Sequence, residues 1–257
     1  MTSPETSATT THDEISVRSV SKKFGAPVLR DINLAIPKGC LFGLIGPGAS
    51  GKSILLKTIA GLLRPDTGEI DVSGQPVHDM SELALSQFRA RLGMLFQNNA
   101  LFDSMTVAQN IAFPLRRLLD PAESEVTERV AERLTAVSLP DFGERMPAGL
   151  SGGQRKRVGI ARATITRAPI LFFDEPTAGL DPVSTQRIFN LLRDEQRRSS
   201  TTVVMVSSDV ERLLTITDRI GMMLRGRLIF EGTTDQARAS ADPYVRQFVH
   251  GLVEGPL

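Results

Sequence analysis

LFGLIGPGASGKSILLKTIAGLL, running from Leu41 to Leu63, decides the fold. Leu41 to Ile45 is a short apolar run, the length and composition of a strand buried on both faces. Gly46-Pro47-Gly48-Ala49-Ser50-Gly51-Lys52-Ser53 then matches the pattern G-x-x-x-x-G-K-[ST]. The spacing has a physical reason. A loop short of side chains lets successive backbone N–H groups close around a polyphosphate, and the N-terminus of the following helix adds partial positive charge. Lys52 would reach the outer phosphates and Ser53 would ligate Mg²⁺. Lys52 to Leu63 reads as an apolar helix, stopped by the breakers Arg64-Pro65-Asp66-Thr67-Gly68. A glycine-rich turn can also join strand to helix and bind nothing; the strand–loop–helix context is what favours a nucleotide.

Outward from this loop, EISVRSV (Glu14 to Val20) and LRDINLAI (Leu29 to Ile36) alternate in strand fashion, and Glu69 to Val72 is strand-like. From about Ser81 to Ala163 the chain reads mostly as helix. Thr106 with Gln109 and Ser151 with Gln154 form capping boxes, and Asp120-Pro121 with Glu123 predicts a third capped start. Strands return at Ile170 to Asp174, Thr202 to Ser207, Ile220 to Leu224 and Arg227 to Glu231. Strands alternating with helices predict an α/β fold, a mostly parallel sheet covered on both faces with a helical insertion. The expected division is a Ser/Thr-rich leader over residues 1–13, one domain over 14–240 with its helical part at about 81–163, and a tail over 241–257.

A second site candidate is Pro169-Ile170-Leu171-Phe172-Phe173-Asp174-Glu175-Pro176, an apolar strand ending in two carboxylates. The carboxyl end of a parallel strand is where such sheets present ligands. Asp174 would hold the Mg²⁺ water shell and Glu175 would polarise an attacking water. Alone, the pair is an ordinary polar loop; it gains meaning only beside the phosphate loop. A third candidate is Leu150-Ser151-Gly152-Gly153-Gln154, which opens a helix. Two glycines in a first turn weaken a helix by about 1 kcal/mol each relative to alanine. They make sense if a ligand approaches the backbone there, which makes Ser151 and the free N–H groups a second anion site.

LSGGQ about twenty residues before a strand ending in DEP resembles the signature of the ATP-binding cassette (ABC) family. Gln97, after an apolar strand in GMLFQ, stands at the Q-loop position and Ala178-Gly179-Leu180-Asp181 at the D-loop position. The resemblance runs in order from about Ser16 to the C-terminus. It implies a RecA-like P-loop core with an antiparallel β subdomain, ATP and Mg²⁺ as cofactors, and a head-to-tail dimer. Each ATP would sit between one subunit's phosphate loop and the other's Ser151 to Gln154, with Asp181 also at that interface. Phe24 matches the aromatic that stacks on adenine, though a strand-end phenylalanine is also an ordinary core residue. Gln97 joins the catalytic and metal-binding residues by the same resemblance.

One position departs from the pattern. Thr202 to Asp209 (TVVMVSSD) aligns with the segment whose histidine meets the γ-phosphate, and Ser208 stands there instead. The three histidines, His12, His78 and His250, lie elsewhere. Serine can donate a hydrogen bond but carries no charge. Hydrolysis is therefore expected to be weakened rather than lost, with a weakly hydrolysing regulatory subunit as the alternative. Ala49 is a milder departure, where the family most often has glycine.

ALFDSMTVAQNIAFPLR, LSGGQRKRVGIARA and DPYVRQFVHGLVEGPL resemble the ATPase of Mla-type and related MCE-domain phospholipid transporters. The partners so implied are a second ATPase subunit, an integral-membrane permease of the MlaE type and an MCE-domain lipid-binding protein, at the cytoplasmic face of a bacterial inner membrane. Leu101 and Phe102 are the candidate permease contacts. Tyr244, Val245, Phe248, Val249 and Leu252 would form an amphipathic tail helix against the partner ATPase. Another transporter class remains an alternative.

Composition sets the remaining bounds. The 257 residues carry 30 basic and 29 acidic side chains, net +1, so no global field marks a nucleic-acid partner. The long coiled-coil insertion of DNA-repair cassettes and the duplication of translational ones are both missing. The single cysteine, Cys40, cannot form an intramolecular disulfide and reads as a small buried apolar residue. No apolar run approaches the ~20 residues that span a bilayer, and no secretory signal is read at the start.

Overall fold

In chain order, β1 (Asp13–Phe24) and β2 (Ala26–Pro37) precede β3 (Leu41–Ile45) and α1 (Lys52–Ile59); β4 (Thr67–Val72), β5 (Gln75–Pro76) and α2 (Glu82–Arg89) lead into β6 (Leu92–Leu95). Helices α3 (Val107–Leu118), α4 (Glu123–Ala136) and α5 (Gly152–Thr164) come next. Then follow β7 (Ile170–Asp174), α6 (Pro182–Ser199), β8 (Thr202–Val206), α7 (Val210–Ile216), β9 (Arg219–Leu224), β10 (Arg227–Thr233), α8 (Thr234–Arg238) and α9 (Pro243–His250). This computed structural model describes residues 13–257, so the expected leader lies outside the described residues except for Asp13, which opens β1.

Two sheets result. The antiparallel one has the order β2-β1-β4-β5, and the six-stranded one has the order β10-β9-β3-β8-β7-β6. Its strands β9, β3, β8, β7 and β6 are parallel, and only β10 pairs antiparallel, at the edge. Side chains alternate across its faces with the period of two. Leu171, Phe173, Val203 and Met205 enter one core with Val107, Ile111 and Leu115 of α3, Val126 and Val130 of α4, and Phe189 of α6. Ile170, Phe172, Val204 and Val206 enter the other, with α1 and the inner faces of β1, β2 and β4. Burial on both faces is why these strands read as unbroken apolar runs.

Three expectations need correction. The stretch from about 81 to 163 is interrupted by β6, a strand of the main sheet, and Leu85 and Phe88 of α2 pack with Leu55 and Leu56 of α1. The capped start at Asp120 does not form: Asp120 adopts φ 45, Ala122 precedes α4 without a side-chain cap, and Glu123 pairs with Arg116 at 2.8 Å. The α1 helix ends at Ile59 rather than Leu63, because Gly61 turns to φ 67. The boxes at Thr106/Gln109 and Ser151/Gln154 form with both reciprocal hydrogen bonds.

Cys40 is buried beside β3, and desolvation pushes its thiol up to about 12. The thiolate is the reactive form, so the native protein is expected to resist a thiol reagent at pH 8. It should react in full once unfolded in denaturant. Rapid native labelling, followed by absorbance, would show that this segment opens.

Candidate active site

The phosphate loop, Gln97, the Asp174-Glu175 pair and Ser208 stand at or just beyond the carboxyl ends of the parallel strands β3, β6, β7 and β8. Between β3 and α1, Gly46 takes φ 140, and a Cβ there would stand 2.1 Å from the Met223 carbonyl oxygen. Only glycine permits that turn. Ala49 adopts φ 57, a left-handed conformation that costs an alanine more than a glycine. Lys52 arches back over the loop, its Nζ donating to the carbonyls of Gly46 and Pro47, both at 2.8 Å, and to Ser50 Oγ at 3.3 Å. Ser50 is buried within the loop, while Gly48 is exposed. Burial pushes the Lys52 ammonium pKa down, and the charges of Glu175 and Asp174 hold it up.

The acidic strand end meets this loop directly. Ser53 Oγ donates to Asp174 Oδ1 at 2.8 Å. Asp174 is only 1% exposed, and its other oxygen, Oδ2, has no hydrogen-bond partner among the described residues. A buried, unpaired carboxylate oxygen is costly, and a bound cation would offset that cost. Serine hydroxyl, carboxylate and the Gln97 amide are hard oxygen donors of the kind Mg²⁺ takes. That ion uses one or two carboxylates plus substrate phosphates rather than an all-protein cage.

Glu175 adopts φ 55, a strained conformation for this residue type. Its Oε2 accepts from both the backbone N–H and the Oγ of Ser208, each at 3.0 Å. The sequence reading aimed Ser208 at a phosphate, whereas here it holds the neighbouring carboxylate. Phe24 is 55% exposed, with Lys22 Nζ 5.4 Å from its ring centroid, so it is no core residue. Gln97 is exposed just after β6. Pro47 and Ser208 share one cavity of about 820 Å³ with Phe248, His250 and Leu257, which brings the chain's end to the site's border.

Ser151 accepts from the Gln154 N–H and caps α5. A Cβ on Gly152 would meet nothing within 4 Å, whereas one on Gly153 would stand 2.9 Å from Leu180 Cδ2. A side chain at the second glycine would thus have to displace the tip of Leu180, whereas the first faces open space. Asp181 caps α6, its Oδ1 accepting from Val183 and Ser184 N–H at 3.0 and 2.9 Å. The Ser184 side-chain hydrogen bond is the main cause holding its carboxyl below the usual range. The sequence reading missed Lys156, which sits buried on α5 and donates to the Gln97 carbonyl at 2.8 Å. In RKR it looks like part of a solvated charge run; only its helical phase relative to Gly159 and Arg162 marks it.

A family model described as ABC transporter matches residues 29–178, more than half of the chain. The chain belongs to the ABC transporter family. It is 38% identical over 244 residues to the probable ribonucleotide transport ATP-binding protein mkl of Mycobacterium tuberculosis, covering 95% of this chain and 68% of that one. It is 37% identical over 244 residues to the intermembrane phospholipid transport system ATP-binding protein MlaF of Haemophilus influenzae, covering 95% and 92%. The methionine import ATP-binding protein MetN of Caulobacter vibrioides is 38% identical over 250 residues, covering 94% and 75%. Among solved structures, the dimeric post-hydrolysis state of the cassette MJ0796 bound to ADP and Pi aligns with TM-score 0.82 at 30% identity, over 86% of this chain and 98% of that one. This ABC protein is the ATP-binding, ATP-hydrolysing subunit of a transporter. Among its described residues no helix is long and apolar enough to cross a membrane.

Proposed function

We propose that this ABC ATPase drives a phospholipid transporter of the Mla/MCE type, hydrolysing Mg²⁺-ATP at the interface of a head-to-tail homodimer. The buried, unpaired Asp174 oxygen beside the Ser53 hydroxyl, under the phosphate loop, carries the catalytic reading. Backbone N–H groups of the loop between Gly48 and Ser53 would cradle the phosphates, and Lys52 would move from the loop carbonyls to the outer phosphate oxygens. Ser53, Asp174 and Gln97 would hold Mg²⁺, which supplies charge neutralisation for the leaving phosphate. Phe24, exposed at the end of β1, offers its face to adenine. Glu175 orients and deprotonates the attacking water. Ser208 pins one Glu175 oxygen with two donors, leaving the other for that water.

Gly152 supports the dimer: its open face at the start of α5 suits an anion presented by a second subunit, with the Ser151 hydroxyl engaging only the Gln154 N–H; Asp181 lies in the adjoining loop. The tail divides its apolar side chains between two surfaces. Val245, Phe248 and Val249 of α9 pack against this chain's own core, so a partner contact would fall to Leu252, Leu257 and the 99%-exposed Val253.

The Phe102 and Phe113 rings lie 4.7 Å apart and exposed, bordered by cavities of about 580 and 370 Å³. Leu101 packs inward instead. Arg116 and Arg162 also line those cavities but already hold Glu123 and the Asn99 and Ala100 carbonyls, so an acidic residue on the permease helix received there would meet Arg117. Such a permease would hold the subunit at the cytoplasmic face of a bacterial inner membrane, with an MCE-domain protein beyond it.

The lipid reading is supported by the MlaF likeness, which extends over nearly the whole of both chains. Methionine import is a second reading, favoured by the similarly high identity to MetN. Co-purification from native membranes, with the permease and bound small molecules identified by mass spectrometry, tests the choice. Phospholipid with an MCE-domain protein supports the first; a methionine permease without lipid sinks it.

Ser208 supplies a sharper expectation. Ser208 is exposed, so Ser208→His has room, and it adds a donor that can carry charge. Steady-state phosphate release by this variant is expected to rise about tenfold, short of the roughly 100-fold that one transition-state donor contributes, because the change also removes the Ser208 Oγ donor to Glu175 and leaves only the backbone N–H. A rate equal to wild type would mean that Ser208 already suffices.

A further inference from the structure

Lys156, Gly159 and Arg162 are spaced by three along α5 and share one face of it. All three meet the segment that leaves β6. Lys156 Nζ donates to the Gln97 carbonyl at 2.8 Å; Arg162 donates to the carbonyls of Asn99 and Ala100 at 2.6 and 2.7 Å. A Cβ on Gly159 would come within 2.6 Å of Leu95 Cδ1 at the end of β6 and 3.6 Å of Asn99 Cβ, so the helix lies against the segment between the two cations. Asn99 and Ala100 adopt φ 64 and 47, which makes this a strained turn held from outside.

The two cations differ in kind. Arg162 grips the far side of the turn, toward Phe102. Lys156 is 4% exposed and grips the residue that carries the Q-loop side chain. Burying an ammonium is expensive, and burial pushes the Lys156 pKa down while the charges of Glu175 and Asp174 hold it up. An uncharged side chain would fill the space at lower cost, so the ammonium is retained for what it holds.

We infer that Lys156 is a positioning residue for hydrolysis: by fixing the Gln97 carbonyl against α5, it sets where the Gln97 amide stands relative to Ser53 and Asp174. The start of α5 is the Ser151 to Gln154 turn offered to the partner's ATP, so the same side chain links one site of the dimer to the other. The inference rests on the reading of the ATP site given above.

Full-length Lys156→Met keeps the volume and removes the donor. It is expected to lower kcat about tenfold, within the range that small misplacements cost, with the KM for ATP changed less than twofold. Amide exchange over residues 96–100 should accelerate. Lys156→Arg is expected to recover kcat to within about threefold of wild type and to slow the exchange again. Wild type and Glu175→Gln run alongside test the site itself. If they behave as an active and an inactive enzyme while Lys156→Met matches wild type, the positioning role is overturned and the site stands. A loss shared by KM, or one that Lys156→Arg leaves unrelieved, marks a structural residue and also overturns it. Should wild type not hydrolyse ATP, exchange alone decides: unchanged rates over 96–100 in Lys156→Met overturn the link, and faster rates reversed by Lys156→Arg support it.

Discussion

Glu175→Gln is expected to bind ATP as well as wild type and to hydrolyse it at least about 100-fold more slowly, the contribution typical of a positioned general base. The substitution isolates one property. Glutamine has the same size and keeps a carbonyl oxygen, so it can still accept from the Ser208 N–H and Oγ that hold the native Oε2 at 3.0 Å. The position of the side chain survives; the charge and the proton-accepting oxygen do not. Because phosphoryl transfer is mostly positioning and electrostatics, losing the group that orients water should appear in kcat and leave nucleotide affinity intact. Steady-state phosphate release and equilibrium binding of ATP measure the two separately. A loss below threefold would remove Glu175 from that role, and the replacement of the switch histidine by Ser208 would then point to a subunit that turns over by another route.

What the sequence makes legible here is what is contiguous. β3, the phosphate loop and the start of α1 occupy adjacent residues, so spacing alone reveals them. β7 is found to the residue because both its faces are buried and its end is marked by Asp174 and Glu175. The two capping boxes are equally local, each a reciprocal pair three residues apart. Asp120 fails the same rule because a stronger partner intervenes: Arg116, on the preceding helix, takes the Glu123 carboxylate that the box required.

Contacts between distant segments stay hidden. Ser208 and Glu175 are 33 residues apart and Lys156 and Gln97 are 59 apart, and no periodicity joins either pair. The amphipathic face of α9 was visible in its pattern, but a pattern does not say which surface it covers. Val245 turns out fully buried in this chain. β6 has only four residues and sits among helices, so its membership of the main sheet depends on β7 running alongside it.

Gly93→Ala, in that short strand, is expected to destabilise the protein by about 3 kcal/mol or more, at or above the usual cost of overpacking a core. An added Cβ would stand 2.1 Å from the Ala163 carbonyl oxygen and 2.4 Å from Leu171 Cδ2. Leucine can change rotamer; the carbonyl is main chain at the end of α5 and cannot turn aside. Nor can β6 yield easily, since Leu92 to Leu95 is in register with Ile170 to Phe173 of β7. Relief requires α5 to lift from the sheet, which is the helix that carries Ser151 to Gln154 at one end and presses Lys156 onto Gln97. For a protein of this size the loss corresponds to a midpoint lowered by roughly 6–12 °C. Phosphate release should fall further than the folded fraction does. Gly149→Ala is the matched control, because a Cβ there meets nothing within 4 Å, and its change is expected within about 0.5 kcal/mol. Thermal unfolding of the three proteins decides. If Gly93→Ala melts with the control, α5 does not rest on β6 as closely as drawn, and the link from the signature turn through Lys156 to Gln97 loses its footing.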